Sequence, residues 1–131
     1  MKEKENISGA ENSARHNKAS TLKMLKFFIN TAKKCSKKIK CSIKESNWQQ
    51  LKSIAGKNIQ TYYMMGLNDL ADFLKYIEQH ALSKKKQKSI AERVKVLHSK
   101  NSEAIEAVQK YIGLIKTEDQ ISEAESYNYG I

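Results

Sequence analysis

Histidine and cysteine are the side chains of this sequence with the most recognisable chemistry, and both are scarce. The 131 residues include three histidines, His16, His80 and His98, and two cysteines. Their spacing matches neither HExxH nor CxxC, and the chain also lacks a glycine-rich phosphate loop and Gly-x-Ser-x-Gly. We therefore expect no metal site and no cofactor, and we predict that the chain is not an enzyme.

The two cysteines, Cys35 and Cys41, are predicted to be reduced. On one helix, a separation of six residues places them roughly 9 Å apart along the axis. That distance is too long for an undistorted disulfide, and no histidine lies nearby to complete a zinc site. Reduced cysteines, together with the lack of an apolar run of ~18 residues, favour a soluble, cytoplasmic protein with no membrane partner.

The charge of the chain is strongly basic, with 24 Lys and Arg against 14 Asp and Glu and a net charge of +10. Such a balance favours acidic partners, among them nucleic acid, anionic lipid and acidic protein surfaces. Lysines cluster at 33–44 and 84–88, and a dense basic face is enough for non-specific nucleic-acid binding. No recognition motif accompanies them, so nucleic acid is the less favoured partner and a solvated helix face is the alternative.

The elements that position these residues are predicted to be helices, because the chain has no proline and only five glycines. Apolar residues recur at steps of three and four in each of four segments. We expect Ser20 or Thr21 to cap the first helix, Asn47 the second and Asn68 the third, and Gly66 to end the second. The fourth helix is expected to run for about 30 residues.

Four amphipathic helices with short connections pack most simply as an antiparallel up-down four-helix bundle, so the predicted fold class is all-α. The bundle is expected to span residues 21–116. Residues 1–20 are polar and are predicted to be a disordered N-terminal segment. Residues 117–131 are predicted to be a flexible acidic and polar tail.

A glycine interrupts the second helical pattern, in the stretch SIAGKNIQTYYMMGL at residues 53–67. A glycine in the middle of a helix costs about 1 kcal/mol relative to alanine. Gly56 therefore needs an explanation that helix formation does not provide.

The motifs around Gly56 resemble those of the histidine-containing phosphotransfer domain, the four-helix bundle of multistep phosphorelays. A W-x-x-L-x-x-x-A pattern at Trp48, Leu51 and Ala55 precedes Gly56, and a second glycine, Gly66, follows ten residues later. The run GLNDLADFLKYIEQHA comes next. The resemblance extends from about residue 21 to about residue 115 and implies a role in two-component signal transduction.

The resemblance also implies that the active position is vacant. In that family the residue after the alanine is the phospho-accepting histidine, and a lysine usually follows three residues later. Here those places hold Gly56 and Ile59. Because glycine has no nucleophile and isoleucine no charge, the chain is expected to be a degenerate member that carries no phosphate. We expect position 56 to face solvent and to pack against nothing.

An outer strip of the second helix is the predicted docking surface, because residues three and four apart are neighbours on a helix. Its partner, by resemblance, is a response-regulator receiver domain or a hybrid histidine kinase. The residues assigned to it are Lys52, Gly56, Lys57, Ile59, Gln60 and Tyr63. The alternative is that Ile59 and Tyr63 pack beneath the N-terminal segment or the first helix.

A third hypothesis is an active phosphocarrier that uses His80 or His98. Neither histidine has a lysine three residues later followed by a small residue. Each is more simply interpreted as an exposed histidine on a helix.

Overall fold

The computed structural model describes the backbone of residues 18–129 and the side chains of residues 18–117. Within this part the chain is all-helical and has no strand, which confirms the predicted all-α class. Its four helices are α1 (Lys18–Lys44), α2 (Trp48–Met64), α3 (Asn68–His80) and α4 (Lys84–Tyr129). None of the described helices is both long and apolar enough to cross a membrane. Most of the predicted N-terminal segment, residues 1–17, lies outside the described residues.

The four helices pack around one apolar core. α1 packs against α2, α2 against α3, α3 against α4, and α4 against α1. Each contributes the inner side of its apolar stripe, and burying one such leucine or isoleucine stabilises the fold by about 1.5–3 kcal/mol. Fully buried examples from the four helices are Leu25, Leu51, Leu74 and Ile90.

Two of the predicted helix boundaries are confirmed. The side chain of Asn47 accepts a hydrogen bond from the Gln50 backbone N–H at 3.1 Å, which satisfies one of the donors left open at the start of α2. At the other end, Gly66 has a φ of 79°, a left-handed conformation that a residue without Cβ adopts at little cost. The Leu67 N–H then donates to the Tyr62 carbonyl at 3.0 Å and closes the turn.

Two predicted caps are wrong. α1 begins at Lys18, so Ser20 and Thr21 lie inside the helix, and Thr21 is buried. Asn68 is the first helical residue of α3, and the cap position belongs to Leu67, which makes no side-chain hydrogen bond. Leu67 is fully buried, so apolar packing rather than a polar cap positions the start of α3.

The fourth helix is longer than expected. α4 has 46 residues rather than about 30, and its backbone stays helical to Tyr129, through most of the predicted tail. Neither proline nor glycine interrupts residues 114–129, and the three glutamates and Ala124 among them favour helix.

A buried polar group joins three of the helices. The Tyr62 hydroxyl of α2 donates to Asn101 Oδ1 of α4 at 2.5 Å, and Asn101 Nδ2 donates to the Ala32 carbonyl of α1 at 3.1 Å. The Tyr62 ring meets Phe28 edge to face at 5.4 Å between centroids. Burial raises the pKa of the neighbouring Cys35 thiol to about 11, so this cysteine is a poor nucleophile.

Replacing Asn101 with leucine is expected to lower the free energy of unfolding by about 1–3 kcal/mol, because the Tyr62 hydroxyl then stays buried without its acceptor. Urea denaturation of the purified variant measures the loss. The control is Asn101→Leu combined with Tyr62→Phe, which removes both partners and should recover part of the stability. A double variant that is less stable than Asn101→Leu alone would contradict this account.

Candidate functional site

Gly56 lies in the middle of α2 beneath an acidic side chain from α3. A Cβ at residue 56 would overlap Glu78 Oε2 and would lie 3.0 Å from Glu78 Cδ. Gly56 is half-buried as a result. The expectation that position 56 packs against nothing is therefore wrong, because α3 packs beside α2 and carries Glu78 across it. Gly56 nevertheless keeps part of its surface exposed.

An open depression of about 390 Å³ surrounds Gly56. Lys52 and Lys57 contribute two ammonium groups to it, and Glu78 contributes one carboxylate. Lys52 Nζ also donates to the Glu78 carbonyl at 3.3 Å, which ties the two helices together. The remaining lining residues are Gln49 and Ser53. With two cations and no imidazole or thiol, this lining is suited to electrostatic binding rather than to phosphate transfer.

The rest of the predicted strip does not line the depression. Ile59 and Tyr63 are half-buried and pack against the apolar core, whereas Gln60 is exposed. The Tyr63 hydroxyl donates to Asp72 Oδ1 at 2.5 Å, and this hydrogen bond raises the pKa of Tyr63. The structure thus brings Lys52, Gly56 and Lys57 together and leaves the other three beside them.

His98 is enclosed between α1 and α4 rather than exposed. Its Nδ1 is hydrogen-bonded to Ser36 Oγ at 2.6 Å, and its Nε2 is buried with no hydrogen-bond partner among the described residues. Burial lowers the pKa of His98, and the positive charge of Lys40 lowers it further. An exposed histidine is therefore the wrong interpretation for residue 98.

His80 is half-buried at the end of α3. Its ring lies against that of Tyr76, with 4.6 Å between centroids. The expectation of a freely exposed histidine therefore fails here as well.

A second depression, of about 380 Å³, lies between α1 and α4. Lys33, Lys37 and Lys40 from α1 line one side of it, which groups part of the predicted lysine cluster 33–44 on one face. The α4 side is polar, with Ser102 and Gln109 among its residues. The three lysines agree with the nucleic-acid alternative, whereas Glu106 in the same lining opposes it, and that alternative stays a prediction.

Sequence reasoning missed Glu78, the residue that most changes the environment of Gly56. The two are 22 residues apart and on different helices, so no local pattern connects them. The described residues contain no group of three or more His, Cys, Asp or Glu able to hold a metal ion. No protein-family model, curated protein or solved structure matches the chain.

Replacing Gly56 with alanine is expected to stabilise the chain by less than the full helix-propensity gain of about 1 kcal/mol, because the new methyl group must displace Glu78. Gly113→Ala is the matched control, since a Cβ there meets nothing within 4 Å. Urea denaturation should show the smaller gain at position 56. In a Glu78→Ala background the two gains should become equal, and a difference that persists there would contradict the contact.

Stability is expected to fall as the pH drops below about 6.5, the ordinary pKa of histidine, because the pKa of folded His98 is lowered. Below that pH the unfolded chain binds a proton that the folded chain does not yet bind, so protonation favours unfolding. Thermal melting between pH 8 and pH 5 measures how steeply the melting temperature falls as the pH is lowered. His98→Gln should make this fall shallower. Equal slopes in the unmodified chain and in His98→Gln would refute the assignment.

Proposed function

We propose that this chain is a phosphotransfer-like protein of two-component phosphorelay signalling that binds response-regulator receiver domains without carrying phosphate. The single observation that carries the proposal is the position of Gly56. The residue expected to hold the acceptor imidazole lies outside the core, in an open basic depression at mid-helix.

The contacts between helices support the antiparallel up-down arrangement that the resemblance implies. Along α2 and α3, Tyr63 contacts Asp72 whereas the earlier residue Gly56 lies under the later residue Glu78. Contacts in that order occur when two neighbouring helices run in opposite directions.

The same order holds for α1 and α4. Ala32 is bonded to Asn101, whereas the later residue Ser36 is bonded to the earlier residue His98. Both pairs are therefore consistent with the bundle topology of the resembled family.

The charges around Gly56 suit an acidic partner. Receiver domains present an acidic pocket beside an apolar helix face, and the two cations Lys52 and Lys57 outnumber the one carboxylate, Glu78, that lies over Gly56. Complementary charges of this kind raise the rate of association and set orientation more than they add affinity. Gln60 and Tyr63 extend the same face along α2.

The absence of phosphate transfer follows from the chemistry of the residues at the site. Gly56 offers no nitrogen to a phosphoryl group, and Ile59 packs against the core where the family has a lysine. His98 exposes neither ring nitrogen for attack on an aspartyl phosphate, since one is bonded and the other buried. Among residues 18–117, the active-carrier alternative then depends on His80 alone.

Binding to a panel of isolated receiver domains, measured by titration calorimetry, tests the proposal. We expect Lys52→Glu combined with Lys57→Glu to weaken binding about tenfold or more, because both charges then oppose the acidic pocket. Lys84→Glu combined with Lys85→Glu is the matched control, with the same charge change on exposed residues away from the depression. If no receiver binds the unmodified chain, the proposed function is removed.

A phosphorylated receiver provides the second readout of the same experiment. The unmodified chain should acquire no acid-labile phosphate, because position 56 has no acceptor. Gly56→His combined with Ile59→Lys restores the two missing groups and should acquire it, after circular dichroism has verified the fold. Phosphate on a histidine of the unmodified chain would contradict the vacancy.

A further inference from the structure

A groove of about 350 Å³ lies between α3 and α4, on a different side of α3 from the depression at Gly56. We call it the α3/α4 groove. Its floor is apolar, and Val96 within it stays 56% exposed, which is high for a valine. Two cations, Arg93 and Lys100, line its α4 side. The complete set of lining residues is Asp69, Leu70, Phe73, Arg93, Val96, Leu97 and Lys100.

Aromatic rings hold Arg93 in place at the groove. Its guanidinium carbon lies 4.9 Å from the centroid of the Phe73 ring and 4.7 Å from that of Tyr76. The two rings are themselves stacked at 6.2 Å. A guanidinium that rests on ring faces keeps the donors along its edge directed outward, where they can form a bidentate pair with a carboxylate. The groove is therefore suited to a segment that combines carboxylates with an apolar side chain.

The end of this chain has that composition. Residues 118–131 include Glu118, Asp119, Glu123 and Glu125, with no Lys or Arg, and Ile121 lies among them. Residues 18–117, in contrast, carry 21 Lys and Arg against seven Asp and Glu. The groove itself has two cations, Arg93 and Lys100, against the single carboxylate of Asp69, so its net charge is opposite to that of the segment.

The geometry of α4 prevents the segment from reaching the groove of its own molecule. Lys100 and Glu118 lie on the same continuous helix, 18 residues apart, so their Cα atoms are separated by about 27 Å along its axis. A helix that continues to Tyr129 carries the segment farther from Arg93 with each turn. The segment can therefore reach such a groove only in another molecule.

We propose that the α3/α4 groove binds the acidic C-terminal segment, residues 118–131, of a second copy of this chain. Carboxylates of the segment pair with Arg93 and Lys100, and an apolar side chain covers Val96. Helices in proteins gain most of their stability from packing, and docking supplies this end of α4 with a surface to pack against. This self-association is independent of the proposed receiver binding, which uses a different face.

Sedimentation velocity of the full chain over a range of concentrations tests the proposal. We expect concentration-dependent association in low salt that weakens at high ionic strength, since salt screens exposed charges. Reversal of the groove charges (Arg93→Glu with Lys100→Glu) and reversal of the segment charges that share one helix face (Glu118→Lys with Glu125→Lys) should each weaken association about tenfold or more. Lys84→Glu with Lys85→Glu changes the net charge by the same amount as the groove variant, and this control should still associate.

Mixing the two reversed variants distinguishes a charge contact from a folding defect. The reversed groove and the reversed segment are again complementary, so the mixture should form a complex that neither variant forms alone. A chain that stays monomeric up to millimolar concentration would overturn the proposal. A mixture that fails to associate, while each variant keeps its helical circular dichroism, would overturn it as well.

Discussion

The hydrogen bond between Tyr62 and Asn101 is the interaction on which the geometry of this bundle depends. It links α2 to α4 inside the core, and the second bond of Asn101 extends the link to the backbone of α1. A buried polar group without a partner costs about 1–3 kcal/mol, so a helix that slides or rotates away from this point loses more than apolar contact. Apolar side chains alone tolerate such slippage better, because their packing has no directional requirement.

The buried Tyr62 fixes the rotation of α2 about its own axis. That rotation determines which α2 residues face away from the core. Gly56 is six residues earlier, and at 100° per residue it lies about 120° around the helix from Tyr62. That angle takes Gly56 out of the core but leaves it next to α3, where Glu78 covers it. A glycine is then favoured for a physical reason besides the proposed loss of an acceptor, because it lets Glu78 lie directly on the α2 backbone. The two explanations are compatible, since any larger residue at this place must first displace Glu78.

The sequence predicts those parts of the fold that depend on local patterns. Periodicity identifies the four helices, and local side-chain and backbone chemistry identifies Asn47 as a cap and Gly66 as a stop. Asn68 fails as a cap because burial of the adjacent Leu67 decides where α3 begins, and burial is a property of the whole bundle.

The environment of the candidate site depends on contacts between distant parts of the chain, and periodicity contains no information about them. Glu78 meets Gly56 across 22 residues, and Ser36 meets His98 across 62. The burial of Ile59 and Tyr63 likewise could not be predicted from periodicity. Their positions on the outer side of α2 follow from the sequence, but their burial follows from how closely α3 approaches.

The two proposed binding surfaces are on different sides of α3, and this has a consequence for how they operate. Glu78 is two residues from Tyr76 and five from Phe73, so it is directed about 160° and 140° away from them around the helix. The depression at Gly56 and the α3/α4 groove therefore share an element but no lining residue. A receiver at the first and a second copy at the other would each contact α3 without competing for a side chain. Coupling between them would require α3 itself to shift, and its buried residues Leu70, Leu74 and Ile77 oppose that movement.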